Sequence, residues 1–312
     1  MIKSVICIGH GALGLLFGQI WQAAAERRRA AGEGWSFAFL ATDERQRRFR
    51  EGRPAINGRE VDFAFIKPEE VRPVDLVIFT VKSGALAQAI RDARGAVGSG
   101  TILLSLLNGV SSEDHLRQAF PEALVLTATA QGMDATREGY RLSYSNLGTI
   151  TYGLRRRELE DTELQAALAE FEAWFRATET PGARLTDMER QYWGKFMLNC
   201  GVNQAAACFN GPYGCVQKPG PARELMRAAM EEACAVANAE GVALDAADID
   251  RWIGLIDTLD PDGSPSMRQD LVAGRPLELE LFAGTVLKIA AKHGLDVPTN
   301  RRIARQLGGS AT

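Results

Sequence analysis

The chain has 312 residues, of which 36 are Lys or Arg and 39 are Asp or Glu, so its formal net charge is −3. This near balance argues against nucleic-acid binding, which usually requires a strongly basic face. The 5 cysteines and 3 histidines show no CxxC pair and no zinc-ligand spacing, so we expect reduced thiols, no metal and a cytoplasmic protein. Glycines interrupt the one long uncharged segment, Ser4–Ala25, so we expect it to form a turn entering a helix rather than a secretory signal. We expect no membrane association, because no other stretch approaches the roughly 20 apolar residues of a membrane span.

Short apolar runs alternate with helical patterns through the first half of the chain. Several runs are apolar on both faces, which is typical of a parallel sheet covered by helices on each side. The predicted strands are Ser4–Ile8, Trp35–Ala41, Asp75–Val81, Thr101–Leu107 and Ala123–Thr129, and the predicted crossover helices are Leu13–Ala31, Ala85–Ala96 and Ser111–Ala119. We interpret Tyr140–Tyr152 as a hairpin at the sheet edge.

The pattern becomes helical after about Asp161, and we expect no further strand. The predicted helices are Thr162–Ala177, Asp187–Phe209, Ala222–Glu240, Ala246–Thr258 and Leu277–His293. The fold class is therefore α/β: a Rossmann-type, doubly wound, mostly parallel sheet followed by an all-helical domain. We predict a dinucleotide-binding domain at residues 1–184 and a helical substrate or dimerisation domain at 185–312.

A glycine-rich turn joins the first strand to the first helix. The segment Gly9-His10-Gly11-Ala12-Leu13-Gly14 matches GxGxxG in a strand–turn–helix context. Such a turn brings the backbone close to a pyrophosphate, and the helix N-terminus supplies N–H donors. We therefore predict a dinucleotide cofactor bound by all six residues.

The end of the second strand leaves the identity of the dinucleotide open. Asp43 is placed to accept a hydrogen bond from a ribose 2′-hydroxyl, which favours NAD. Arg45, with Arg47 and Arg48, is placed to meet the 2′-phosphate of NADP, although a solvated helix face explains these arginines equally well.

Two more predicted strands end in polar residues, Lys82 and Asn108. Ligands of open α/β sheets bind at the carboxyl ends of the strands. Lys82 is a candidate for the adenosine or the phosphates, and Asn108 for the nicotinamide ribose or the substrate. A turn at Asn108-Gly109 and a solvated Lys82 are equally good explanations.

Three polar residues share one face of the helix predicted at Asp187–Phe209. Lys195, Asn199 and Asn203 are spaced i, i+4, i+8 among apolar neighbours, so the face is expected to be buried. A buried lysine is costly without partners. An ammonium there is suited to stabilising and protonating the oxygen of a carbonyl under reduction. The alternative is a surface lysine beside two structural amides.

A second polar group lies downstream, at Ser266 and Glu278. Ser266 is a candidate for binding a substrate carboxylate or hydroxyl, and Glu278 for holding Lys195 charged and oriented. Ordinary helix capping by Ser264 or Ser266 is the stronger explanation by periodicity alone.

These segments occur together and in order along nearly the whole chain. They are GHGALG, TVKSGAL with Lys82, LLNGV with Asn108, WGKFMLNCGVN with Lys195, SMRQDLVAGRPLELE with Ser266 and Glu278, and KHGLDVPTN with Gly294, Pro298 and Asn300. In this combination the chain resembles the ketopantoate reductase (2-dehydropantoate 2-reductase) family.

The resemblance implies that NADPH reduces a 2-keto acid to a 2-hydroxy acid in a cleft between a nicotinamide-binding domain and a helical domain. Lys195 would be the proton donor and Glu278 its partner. The resemblance also implies that Asn199, Asn203 and Ser266 bind substrate, that Asn108 assists with cofactor and substrate, and that Lys82 contacts the adenosine part of the cofactor.

The chain departs from the family pattern at two places. NADPH-dependent members often carry Arg at the end of the second strand, where Thr42 or Asp43 stands here, so NAD stays an alternative to NADP. Tyr213 and Gly263 stand where some members carry substrate-contacting asparagines, which leaves the choice of 2-keto acid open.

We therefore expect an oxidoreductase that acts on a small anionic 2-keto acid, with ketopantoate as the leading substrate. A β-hydroxyacid dehydrogenase is one alternative, since Gly194, Lys195 and Asn199 satisfy its Gly-Lys-x-x-x-Asn pattern. A dinucleotide-binding sensor without turnover is another. Apolar helices such as Ala222–Ala239 are candidates for a homodimer contact.

Overall fold

The structure is a computed structural model that describes residues 1–308. The chain divides into two compact units. The first comprises Met1–Leu107 and Ser111–Met188, and the second comprises Asn108–Val110 and the chain from Glu189 onward. The domain boundary expected between residues 184 and 185 stays a prediction. The boundary between the two compact units lies between Met188 and Glu189.

Two sheets lie in the first unit. Within residues 1–308 the strands are β1 (Ser4–Ile8), β2 (Ser36–Leu40), β3 (Ala55–Ile56), β4 (Arg59–Glu60), β5 (Phe65–Ile66), β6 (Leu76–Phe79), β7 (Ile102–Ser105), β8 (Leu124–Gln131), β9 (Thr136–Glu138), β10 (Arg141–Ser143), β11 (Thr149–Gly153) and β12 (Gly182–Arg184). The main sheet has the order β12-β11-β8-β7-β6-β1-β2-β5 and is parallel except between β8 and β11. The predicted Rossmann-type fold class is confirmed.

Helices cover both faces of the main sheet. The helices of the first unit are α1 (Ala12–Ala30), α2 (Asp43–Glu51), α3 (Leu86–Ala93), α4 (Ser112–Ala119) and α5 (Thr162–Ala177). Leu16 of α1 and Phe171 of α5 belong to one buried apolar cluster, and Ala89 of α3 and Leu116 of α4 belong to another. Because both faces are covered, every residue of β6 and β7 is buried.

Strand β1 occupies the point where the order of the sheet reverses. It pairs with β2 on one side and with β6 on the other. The Asp75 carboxylate holds the starts of β1 and β6 together, since it accepts hydrogen bonds from the backbone N–H groups of Lys3 and Ser4 and from the Ser4 hydroxyl. Ligands of doubly wound sheets bind outside the carboxyl ends of the strands at such a reversal point.

The expected hairpin at Tyr140–Tyr152 is wrong. Its two halves lie in different sheets: β10 pairs with β9 and β3 in a small sheet of order β4-β3-β10-β9, whereas β11 pairs with β8. The linking segment bends away because the Asp134 carboxylate binds the backbone N–H groups of Ser145 and Asn146. The expectation of no strand after Asp161 is also wrong, because β12 extends the main sheet beside β11.

The described part of the second unit is helical. Its helices are α6 (Met188–Cys208), α7 (Gly214–Gln217), α8 (Pro221–Ala239), α9 (Ala246–Asp257), α10 (Ser266–Val272), α11 (Ala283–His293) and α12 (Pro298–Gln306). The helix predicted at Leu277–His293 is shorter than expected. A 3₁₀ turn at Leu279–Leu281 precedes it, and Phe282, with φ −110° and ψ −87°, separates the two.

The apolar side of α8 is buried within the second unit, where the helix packs on α9, α11 and α12. Its apolar composition is thus explained without a partner chain, and the homodimer stays a prediction. Among residues 1–308, no helix combines the length and hydrophobicity that crossing a bilayer requires.

Candidate functional site

Two glycines of the turn after β1 are required by packing inside the protein. Gly9 has φ +111°, and a Cβ there would lie 2.8 Å from the Thr80 carbonyl carbon. A Cβ on Gly14 would lie 1.9 Å from the Gly9 carbonyl oxygen. The Thr80 hydroxyl donates a hydrogen bond of 2.6 Å to that same oxygen, so β6, the turn and α1 are held in close contact.

Gly11 is different, because protein packing does not require it to be glycine. Its φ is −77°, and the nearest atoms of the described chain to a Cβ built there are the Thr80 oxygen at 3.9 Å and Arg137 Nη1 at 4.0 Å. Gly11 is the N-cap of α1, whose first turn has no side-chain cap and no acidic residue. Backbone N–H groups and the positive end of the helix dipole are therefore presented at a residue where a Cβ would make only ordinary van der Waals contact, which fits a close approach by the pyrophosphate of a dinucleotide.

The His10 side chain supports the turn from inside the protein. Its imidazole lies edge-on to Phe49 and Phe39, with ring centroids 5.4 and 6.3 Å away. Burial, followed by the charges of Arg137 and Arg45, lowers the pKa of His10 to about 4. The imidazole is therefore neutral at pH 7, and any contact of His10 with a cofactor phosphate is best made by its backbone.

The residues after β2 form a mixed-charge group. Asp43 is the first residue of α2, and its carboxylate accepts a contact of 2.9 Å from the Lys67 ammonium. The hydrogen bond to Asp43 raises the pKa of Lys67. Arg45 Nη1 lies 3.8 Å from the Asp92 carboxylate. Two cations thus accompany the one acid proposed to meet a ribose hydroxyl.

Lys82 lies beyond the end of β6, as the sequence predicts. It is exposed and is the N-cap of the 3₁₀ turn Ser83–Ala85. This is the carboxyl end of the sheet, where Gly9 and Thr80 also meet, and the proposed contact of Lys82 with the adenosine stays a prediction.

The helical face predicted from spacing is buried. Lys195, Asn199 and Asn203 of α6 are 8, 8 and 5 % exposed. The Lys195 ammonium donates a hydrogen bond of 3.0 Å to Asn108 Oδ1. The structure therefore brings together two candidate residues that are 87 positions apart.

Glycines allow close packing beside both partners of this hydrogen bond. Gly109 has φ +89°, and a Cβ there would lie 2.6 Å from Leu281 Cδ1. A Cβ on Gly194 would lie 2.6 Å from the indole nitrogen of Trp252. The Asn108 loop is therefore fixed by the turn at Leu279–Leu281, and the start of the Lys195 face is fixed by α9.

The downstream candidates occupy the positions expected from the sequence, but they do not cap helices with their side chains. Ser266 is the first residue of α10 and is exposed, while Pro265 is the N-cap. The capping explanation for Ser264 and Ser266 is therefore wrong. Glu278 is half-buried and precedes the turn that carries Leu281.

A buried amide next to the candidate face was not predicted from the sequence. Gln204 is fully buried, donates to Asn300 Oδ1 at 3.1 Å and accepts a hydrogen bond of 3.0 Å from the backbone N–H of Ala283. Asn300 in turn donates to the Glu232 carboxylate. These bonds attach α6 to the starts of α11 and α12. The only sequence signal was a glutamine in an apolar helix.

Arg137 was also missed. It belongs to β9 of the small sheet, and its guanidinium lies beside Gly11. Nothing in its local sequence distinguishes it from an ordinary surface arginine.

Tyr213 and Gly263 contact each other. The backbone N–H of Tyr213 donates to the Gly263 oxygen at 2.9 Å, and a Cβ on Gly263 would lie 3.1 Å from the Tyr213 ring. Burial raises the pKa of the Tyr213 phenol. An aromatic side chain thus fills the space beside Gly263.

Comparisons with known proteins agree along the chain. Residues 5–157 match the family described as Ketopantoate reductase PanE/ApbA, and residues 187–310 match its C-terminal part. A 2-dehydropantoate 2-reductase of Halobacterium salinarum is 30% identical over 237 residues, which is 76% of each chain.

Solved structures are similar to this chain over nearly its whole length. A 2-dehydropantoate 2-reductase from Geobacter metallireducens has a TM-score of 0.81 at 26% identity, with 98% of this chain and 99% of that one covered. A D-mandelate dehydrogenase in complex with NADH and anilino(oxo)acetate has a TM-score of 0.80 at 20% identity, with 98 and 97% covered. At that identity the second similarity shows the fold alone.

Proposed function

The chain belongs to the ketopantoate reductase family, and from this premise we propose that it reduces 2-dehydropantoate to pantoate with NADPH. It is an oxidoreductase that acts on CH–OH groups and uses a nicotinamide dinucleotide. The proposed reaction belongs to pantothenate biosynthesis.

The observation that carries the proposal is the buried hydrogen bond between Lys195 and Asn108. A lysine that is 8 % exposed loses most of its hydration, and that loss needs compensation from a polar partner. Asn108 accepts a hydrogen bond from one of the three N–H groups of the ammonium and so fixes the position of Nζ. The amides of Asn199 and Asn203 lie on the same face of α6 and are suited to binding a polar substrate.

The proposed chemistry assigns the proton to Lys195. When bound, the reduced nicotinamide supplies the hydride that forms the new C–H bond at the keto carbon. Lys195 Nζ donates a proton to the oxygen as negative charge develops there, which leaves a neutral amine that water reprotonates. We assign Glu278 to keeping Lys195 charged and oriented, and Ser266 to the substrate.

The preference for NADPH is proposed from the charges after β2. Asp43 alone would repel a 2′-phosphate, but Lys67 at 2.9 Å offsets its charge, and Arg45 follows on the same helix. Lys67→Ala should therefore lower the ratio of NADPH to NADH affinity by about two- to fivefold, the range for a solvated ion pair. An unchanged ratio would contradict this account of cofactor choice.

The test of function is an assay of purified protein with a panel of 2-keto acids and either NADPH or NADH. We expect the highest kcat/KM with ketopantoate and NADPH. Lys195→Ala should lower kcat by at least about 100-fold, the usual contribution of a general acid, while the Kd for NADPH changes little. Lys288→Ala is the matched control, because Lys288 is exposed on α11 of the same unit. Wild-type turnover by Lys195→Ala would refute the assignment.

A different 2-keto acid is the second candidate substrate, and Tyr213 favours it. Its ring lies against Gly263, so this region is more apolar than one lined by asparagines. A higher kcat/KM for an aryl or alkyl 2-keto acid than for ketopantoate would select this candidate. NADPH binding without oxidation by any member of the panel would instead indicate a sensor.

A further inference from the structure

The small sheet places a guanidinium beside the phosphate-binding turn. Arg137 Nη1 lies 4.0 Å from the position of a Cβ built on Gly11, the residue of the turn at which a Cβ would make only ordinary van der Waals contact. The small sheet is not part of the strand–turn–helix unit that forms the turn, so the arginine is an addition to that unit.

The position of Arg137 is fixed by packing. Its guanidinium lies over the ring of Tyr140, 5.5 Å from the centroid. Tyr140 packs edge-on against Phe49 at 5.8 Å, and its ring fills the space beside Gly52, where a Cβ would overlap it. A cation held in this way loses little conformational entropy when it binds an anion.

The charge of Arg137 reaches the turn itself. Burial is the main cause of the lowered pKa of His10, which lies between Gly9 and Gly11, and the charge of Arg137 follows it, ahead of that of Arg45. Arg45 lies on α2, after β2, where the 2′ position of the adenosine ribose is expected. Two arginines therefore approach the dinucleotide region from different elements, one at Gly11 and one at the end of β2.

We propose that Arg137 is a further cofactor-binding residue and that it contacts the pyrophosphate. A phosphate oxygen above Gly11 would receive N–H donors from the start of α1 on one side and the guanidinium on the other. Because NADH and NADPH share the pyrophosphate, Arg137 contributes equally to both. Arg45 contributes only to the molecule with a 2′-phosphate. This inference rests on the dinucleotide cofactor and not on the identity of the keto acid.

The test is calorimetric binding of NADH, NADPH, ADP and adenosine 2′-monophosphate to the full-length protein without substrate. Arg137→Gln should lower the affinities for NADH, NADPH and ADP by a similar factor of about ten, which is the scale of one partly solvated charged hydrogen bond. The affinity for adenosine 2′-monophosphate should not change. Arg45→Ala should weaken only NADPH and adenosine 2′-monophosphate. Arg137→Lys should recover part of the affinity because it keeps the charge.

Arg141→Ala is the matched control, since Arg141 is exposed on β10, the strand paired with β9. Its affinities should equal those of the wild type. Equal losses in Arg141→Ala and Arg137→Gln would overturn the proposal, because net charge alone would then explain them. The proposal would also be overturned if Arg137→Gln lost affinity only for NADPH and adenosine 2′-monophosphate, or if it lost no affinity for any of the four ligands. Failure of the wild-type protein to bind NADH and NADPH would instead refute the dinucleotide cofactor.

Discussion

Gly14 and Gly11 of the turn should respond differently to substitution by alanine. In Gly14→Ala the new methyl group would lie 1.9 Å from the Gly9 oxygen, so α1 must move by about 1.5 Å to restore ordinary contact. Overpacking of this kind costs about 1–3 kcal/mol, and the Thr80–Gly9 hydrogen bond of about 1 kcal/mol is lost with it. Better helix propensity returns up to about 1 kcal/mol. The net loss is about 1–4 kcal/mol.

Gly11→Ala should leave the fold almost unchanged. Its φ of −77° suits alanine, and the nearest atoms of the described chain lie at 3.9 and 4.0 Å from the new methyl group. The expected cost is about 0.5 kcal/mol, from a weaker N-cap. The methyl group would, however, occupy the space assigned to the pyrophosphate, so affinity for both dinucleotides should fall by at least about tenfold.

Two measurements separate these effects. Thermal unfolding without cofactor should show a midpoint roughly 2–6 °C lower for Gly14→Ala and within about 1 °C of the wild type for Gly11→Ala. Calorimetry should show weakened NADPH binding for both variants. Wild-type affinity of Gly11→Ala for NADPH would contradict the placement of the pyrophosphate at Gly11. Unfolding of Gly14→Ala at the wild-type temperature would contradict the clash with the Gly9 oxygen.

Three further substitutions test other contacts. Burial raises the pKa of Asp75, but its hydrogen bonds lower that pKa more strongly, to below its ordinary value of 3.8. The carboxylate should therefore stabilise the fold above pH 3.8, and this contribution should be lost as the pH falls through the lowered pKa. Urea unfolding of Asp75→Asn should accordingly depend less on acid pH than that of the wild type. Gly109→Ala should displace the Asn108 loop and lower kcat/KM at least about tenfold, because the new Cβ would lie 2.6 Å from Leu281 Cδ1. Adding Leu281→Ala should recover part of the activity if this clash is the cause. Gln204→Leu should destabilise the protein by about 2–4 kcal/mol in chemical denaturation, because it leaves the Ala283 N–H without its acceptor; a change below 0.5 kcal/mol, which is about the size of a surface effect, would contradict this.

The strands of the sheet could be predicted where their burial produces a local run of apolar residues. Strands β6 and β7 are apolar at nearly every position because both of their faces are covered, and a single sequence shows this directly. The failure at Tyr140–Tyr152 has a physical cause that no local window contains. Partners far away in sequence decide the pairing of β10, which lies beside β3, and the Asp134 carboxylate redirects the connection to β11.

The candidate site was predictable to the same degree. The face formed by Lys195, Asn199 and Asn203 follows from helical periodicity, which is a local property. Arg137 was not predictable, because its position beside Gly11 depends on the folding of the small sheet rather than on its neighbours in sequence.

The position of the Lys195 ammonium is set by three segments that are distant in sequence. Asn108 accepts its hydrogen bond, the turn containing Leu281 holds the Asn108 loop through Gly109, and α9 packs on Gly194 through Trp252. Each segment carried a separate and weak local signal, such as the Asn-Gly pair, and only the folded chain shows that all three lie beside Lys195 or its partner Asn108. It follows that substitutions at Leu281 and Trp252 should alter proton delivery by moving Asn108 or Lys195, although neither residue is among those proposed to bind substrate. Their effect should appear mainly in kcat, because the side chains proposed to bind substrate are retained.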